Sequence, residues 1–127
     1  MLKISYNRIR KRIVKRLEER TEYLSKKDRL EIKMWRKGSE VVKFSVTYLR
    51  FYSKRWREVT RWDNAHSKKS KAQLLRKPHH HIFSLDNGQL YVTPIKGKPA
   101  EILTEAITNI KLRRKEILHN FFNNKKI

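Results

Sequence analysis

Four of the chain's five histidines fall in one stretch, RWDNAHSKKSKAQLLRKPHHHIF, from Arg61 to Phe83. Histidine titrates near neutrality, so one imidazole can take a proton while another gives one. Cleavage of RNA without a metal needs a base for the 2′-hydroxyl, a cation for the phosphorane and an acid for the leaving 5′-oxygen. The stretch holds a residue for each task. His79 or His81 can serve as base or acid, with His66 a third imidazole. Arg61 can stabilise the developing charge, and Asp63 can orient an imidazole. Lys68, Lys69, Lys71, Arg76 and Lys77 can hold backbone phosphates, and Trp62, Tyr52 and Phe83 can stack an unpaired base.

Plainer readings compete for the same residues. Asp-Asn opens turns through its own hydrogen bonding, which rivals a catalytic Asp63. Trp56 and Trp62 at strand spacing suit a core as well as a stacking surface. His66, His79, His81 and Asp63 are also nitrogen and oxygen donors for a metal. The surrounding positive charge opposes a divalent cation, and only Asp63 and Glu58 are nearby acids, so no metal and no cofactor are expected. With three glycines in the chain there is no glycine-rich phosphate loop. No nucleophile elbow, paired carboxylates, helix-turn-helix or zinc finger is legible.

Charge narrows the partner. Thirty-three Lys and Arg stand against twelve acids in 127 residues, a formal net charge of +21. A compact body with that charge repels itself unless an anion neutralises it. RNA or other nucleic acid is the expected partner, because counterion release rewards each neutralised phosphate. An acidic protein and an anionic membrane are the rivals. No apolar run approaches the roughly 18 residues of a membrane span. The absence of cysteine removes disulfides and thiolate sites. The basic N-terminus lacks the apolar core of a signal peptide. A cytoplasmic protein is the expectation.

The elements that must position these residues follow from periodicity. Tyr6, Ile9, Ile13 and Leu17 make an apolar stripe that predicts a helix over 2–24, with Arg8, Arg12 and Lys15 on one side as a phosphate-facing set. From Leu30 the period changes to two. Strands are expected from Leu30, over 41–51 and over 56–62, with turns at 37–39 and 53–55. A polar connection over 63–78 leads to strands at 79–85 and 89–93, joined by an Asp-Asn-Gly turn. Pro99 opens a final helix reaching about residue 122, and 123–127 reads as a frayed basic tail. The class is α+β: one domain over 1–122, a five-stranded antiparallel meander flanked by an N-terminal helix and a long C-terminal helix. His79 and His81 then share a face, with His80 opposite. If the strand ending in Trp62 pairs with the strand starting at His79, Arg61, Asp63, His66, His79 and His81 meet.

At these residues the chain resembles a family. YLRFYSKRWREVTRWDNAH, then HHH, a strand and a helix are similar to the TumE-like toxins of bacterial and archaeal toxin–antitoxin pairs, over about residues 42–110. Trp62, Asp63 and Asn64 match that family's aromatic-Asp-Asn at a strand end, and His79 and His81 its His-x-His. The family's intervening loop is short and glycine-rich, whereas this one is long and rich in lysine. The resemblance implies a toxin acting on RNA or on translation, with an antitoxin protein or the ribosome as partner. A second function class remains open: a non-catalytic nucleic-acid-binding protein, chromatin, viral or ribosome-associated, in which the basic segments are the function and the histidines are incidental.

Overall fold

The computed structural model describes residues 16–64 and 77–125. Six strands run β1 (Arg16–Tyr23), β2 (Asp28–Lys37), β3 (Glu40–Tyr52), β4 (Arg55–Asp63), β5 (His79–Ser84) and β6 (Gly88–Pro94), followed by one helix, α1 (Pro99–Phe122). The strands form one antiparallel sheet in sequence order, each paired with the next. The class is therefore α+β, with one more strand than the periodicity predicted.

Period-two alternation gives the sheet two distinct faces. Leu30 and Ile32 of β2, Phe44, Val46 and Tyr48 of β3, and Val59 and Trp62 of β4 are buried on one side. Ile102, Leu103, Ala106, Ile110, Ile117 and Phe121 of α1 close over them as a single core. Two bulges decide which side chains enter it, since one extra residue reverses the facing of everything beyond it. The register shifts between Trp35 and Arg36, so Val41 is buried and Val42 exposed. It shifts again between Tyr48 and Leu49, so Glu58 pairs with Leu49 and Trp56 with Phe51. Trp56 and Glu58 thereby join the face of Arg61, away from α1, rather than the face of Trp62 as simple alternation predicts.

A buried carboxylate ties the helix down. Asp28, fully buried at the start of β2, accepts hydrogen bonds from the Tyr48 hydroxyl (2.5 Å), Arg114 Nη2 (2.9 Å), Arg114 Nε and the Ser25 hydroxyl. Burial alone would raise the Asp28 pKa, but these donors, Arg114 first, hold it below the usual carboxylate range. The same burial and the facing carboxylate push the Tyr48 phenol up.

Two expectations need correction. Residues 16–23 are a strand, not the end of a helix, and the rest of the predicted 2–24 helix lies outside the described residues, with Arg8, Arg12 and Lys15. The β1 strand has charges on both faces, Arg16, Glu18, Arg20 and Glu22 on one and Glu19 on the other, so its alternation is not a clean apolar one. Its pairing with β2 and cross-strand ion pairs such as Glu18–Arg36 (3.1 Å) select the strand. The sheet consequently has six described strands rather than five. After α1, Asn124 accepts from Asp86 N (3.0 Å) and donates to Asp86 Oδ2 (2.9 Å), clasping the β5–β6 turn.

Candidate functional site

The pairing on which the site depends is present. β4 and β5 run antiparallel with Asp63 opposite His79 and Arg61 opposite His81. Arg61, Asp63, His79 and His81 thus share the face away from α1, and His80 points to the other. His66, Lys68, Lys69, Lys71 and Arg76 lie outside the described residues; Lys77 is exposed.

Asp63 is the hub. It is 5% exposed, with Arg61 Nε 2.6 Å from Oδ2 and His81 Nε2 3.3 Å from Oδ1. The arginine contact is an ion pair rather than an aligned hydrogen bond, since the Nε proton meets no acceptor in line. Arg61 Nη1 also donates to Glu58 Oε1 (2.6 Å). On its other side the buried His81 ring meets Gln89 Oε1 at 3.0 Å from Nδ1. With an oxygen at each ring nitrogen, both nitrogens of the imidazole are engaged. Burial works against its charge, but the hydrogen bonds to Asp63 and Gln89 and the pull of the Asp63 carboxylate win, and the His81 pKa is raised. Arg61 thus sits between two carboxylates, Asp63 and Glu58, and His81 between Asp63 and Gln89.

That geometry redistributes the predicted roles. His81 is buried, with Asp63 at one ring nitrogen and Gln89 at the other. His79 is half-exposed, its ring centroid 6.4 Å from that of His81, and is the imidazole better placed for proton transfer. Trp62, predicted to stack a base, is instead a core residue, 7% exposed, with its ring on that of His80 at 3.8 Å and 9°. The alternation that put it at a strand end also turned it toward α1. Beneath it His80 accepts no charge readily: burial first, then His81 and Arg113, lower its pKa to about 4. The Thr60 hydroxyl donates to His81 O and accepts from His80 Nε2, both at 2.8 Å. His80 and Trp62 line a cavity of about 340 Å³ under α1, near the break in helical geometry at Arg113. Phe83, also predicted to stack, lies beside Arg61 (5.7 Å) against the core, and Tyr52 packs edge-on against Phe122 of α1.

Three residues of the site were not foreseen. Asn64 Oδ1 accepts from Phe44 N (2.8 Å) and its Nδ2 donates to Val42 O (3.1 Å), extending the β3–β4 pairing past Asp63. Gln89 follows the Asp-Asn-Gly turn, whose hairpin register sets it opposite Phe83 and so near His81. Glu58 reaches Arg61 only because of the bulge in β4. Among the described residues no group of three or more His, Asp or Glu is arranged to hold a metal ion, and no helix is long and apolar enough to cross a membrane.

No curated protein and no solved structure matches the chain. The profile of one family, described as Domain of unknown function (DUF7718), matches residues 14–127, and the chain belongs to that family.

Proposed function

We propose that this chain is a small basic protein that binds RNA, gripping the phosphate backbone where β4 and β5 end. One observation carries the reading. β4 ends at Asp63 and β5 begins at His79, and the sequence 65–76 between them contains Lys68, Lys69, Lys71 and Arg76 with no acid. Both of its roots are fixed. Asn64 is bonded twice to β3 through its side chain, and buried Pro78 accepts from Ile95 N (2.9 Å). A cation-rich sequence between two fixed ends suits sequence-tolerant backbone binding.

A second reading, a metal-independent toxin-type endoribonuclease, is favoured by His79. It stands opposite Asp63 near Arg61, and His79 taking the 2′-hydroxyl proton and returning it to the leaving 5′-oxygen, with the Arg61 guanidinium offsetting the phosphorane's charge, would cleave the strand to a 2′,3′-cyclic phosphate and a free 5′-hydroxyl. This reading follows the TumE-like resemblance. One experiment separates the two: incubate single-stranded RNA with the protein in EDTA, alongside His79→Ala, and measure binding and cleavage together. Salt-sensitive binding without cleavage supports the first. Cleavage that survives EDTA and vanishes in His79→Ala supports the second. RNA that is neither bound nor cut removes both.

A further inference from the structure

The sheet face away from α1 has a second feature at its opposite end. There the β1–β2 and β3–β4 turns lie side by side, joined by Phe51 N donating to Lys27 O (2.6 Å). Trp56 stands across from Phe51, and Tyr23 across from Arg29. Tyr23 and Phe51 meet the Trp56 ring edge-on, at centroid distances of 6.2 and 5.4 Å and angles of 68° and 67°. Trp56 is half-buried between them, while Tyr23 is 59% and Phe51 39% exposed. The Arg29 guanidinium lies 4.1 Å from the Trp56 centroid and 5.8 Å from that of Tyr23. It is pinned there by the Tyr23 hydroxyl (3.1 Å) and by Glu31 (2.8 Å). These rings do not serve the core, which lies on the other face.

The rim of this cluster is cationic. Lys26, Lys27, Lys54 and Arg55 are exposed around it, and neither residues 23–27 nor residues 51–57 include an acid. We propose that the Tyr23–Trp56–Phe51–Arg29 cluster is a base-stacking site for single-stranded RNA. The exposed faces of Tyr23 and Phe51 take unpaired bases, and the rim cations meet the flanking phosphates. Aromatic and guanidinium planes stack any base, whereas the bases of a duplex are already stacked on each other. A second copy of the chain is the poorer occupant, because a two-fold contact would set the same lysine rim against itself. The site rests on the RNA-binding reading and deepens it. Trp56 and Asp63 are both on this face, seven residues apart on β4 or about 20 Å by strand rise, so one strand of RNA can run from the stacking cluster to the basic segment.

The test measures fluorescence anisotropy of a labelled single-stranded RNA oligomer, and of its duplex, with the full chain and with Tyr23→Ala/Phe51→Ala. Each ring lost is expected to weaken single-strand binding about 5- to 150-fold, so the double variant should lose at least about 30-fold. Duplex binding and the salt dependence should hold, because no charge is removed. Tyr23→Phe, which keeps the ring, should bind as the wild type does. Tyr23→Ala alone, at an exposed position, serves if the double variant fails to fold by circular dichroism. Unchanged single-strand affinity, or equal loss for single strand and duplex, overturns the proposal. So does a wild-type dimer that Tyr23→Ala dissociates. If the stacking variants bind normally while removal of the segment cations abolishes binding, this site fails and the RNA reading stands. If the wild type binds no RNA, both fail.

Discussion

Asp63→Asn keeps the shape of the hub and removes its charge. The carboxylate holds Arg61 and His81 in a site that is 5% exposed. Breaking a buried ion pair from one side costs about 3–5 kcal/mol, because the remaining charge is left without its counterion. Arg61 keeps Glu58 and is 30% exposed, so solvent softens its loss, and the lower end, about 3 kcal/mol, is expected. For a chain of this length that is a fall of about 12 °C in Tm. The pH dependence carries the sharper content. Burial opposes the charge on His81, and Asp63 and Gln89 overcome it, so its pKa is raised in the fold. A raised pKa gives stability that is complete below the ordinary histidine value near 6.5 and is lost as pH rises through the folded value. The gap between wild type and Asp63→Asn should therefore be largest near pH 6 and shrink toward pH 9. Thermal unfolding by circular dichroism at both pH values measures it, with nitrogen-15 imidazole shifts following His81. A gap that does not change with pH, or a His81 that titrates identically in the variant, refutes the reasoning.

Asp28→Ala strips the carboxylate from the fully buried anchor of α1 and should cost about 3–5 kcal/mol by denaturant unfolding, more than a typical core truncation of similar size. Because the Asp28 pKa is lowered, its contribution is present above the unfolded value near 4 and is lost as pH falls below it. His80 should keep the nitrogen-15 shifts of a neutral ring down to near pH 4, and its share of stability should decline as pH drops from about 6.5 toward that value. Ser53 and Lys54 both adopt positive φ, 51° and 70°, in the β3–β4 turn. Ser53→Asn/Lys54→Gly should relieve that strain and raise stability by about 1 kcal/mol, read as an upward shift in Tm.

The hairpins from β3 onward were legible because their apolar residues alternate and Asn87-Gly88 marks a tight turn. The pairing of Asp63 with His79 followed from that meander, and α1 from its 3–4 spacing after Pro99. Residues 16–23 were misread because Leu17 continues the spacing of Ile9 and Ile13, while a strand with charges on both faces has no clean apolar alternation to betray it. The bulges were invisible for a different reason. An inserted residue is a choice made by two paired strands, and a period-two reading of one strand cannot contain it. That is why Trp56 stands on the other face under Arg29 rather than on the face of Trp62. The buried anchor Asp28 was equally hidden, since its partner Arg114 is 86 residues away in sequence.

The central claim is that the basic segment between β4 and β5 grips RNA phosphates, and the salt dependence of binding tests it most directly. For single-stranded RNA, log K falls with log salt with a slope of about −0.7 per neutralised phosphate. Replacing Lys68, Lys69, Lys71, Arg76 and Lys77 by glutamine should therefore flatten the slope by up to about 3.5 and weaken binding alike across sequences. A slope unchanged by those substitutions would contradict it.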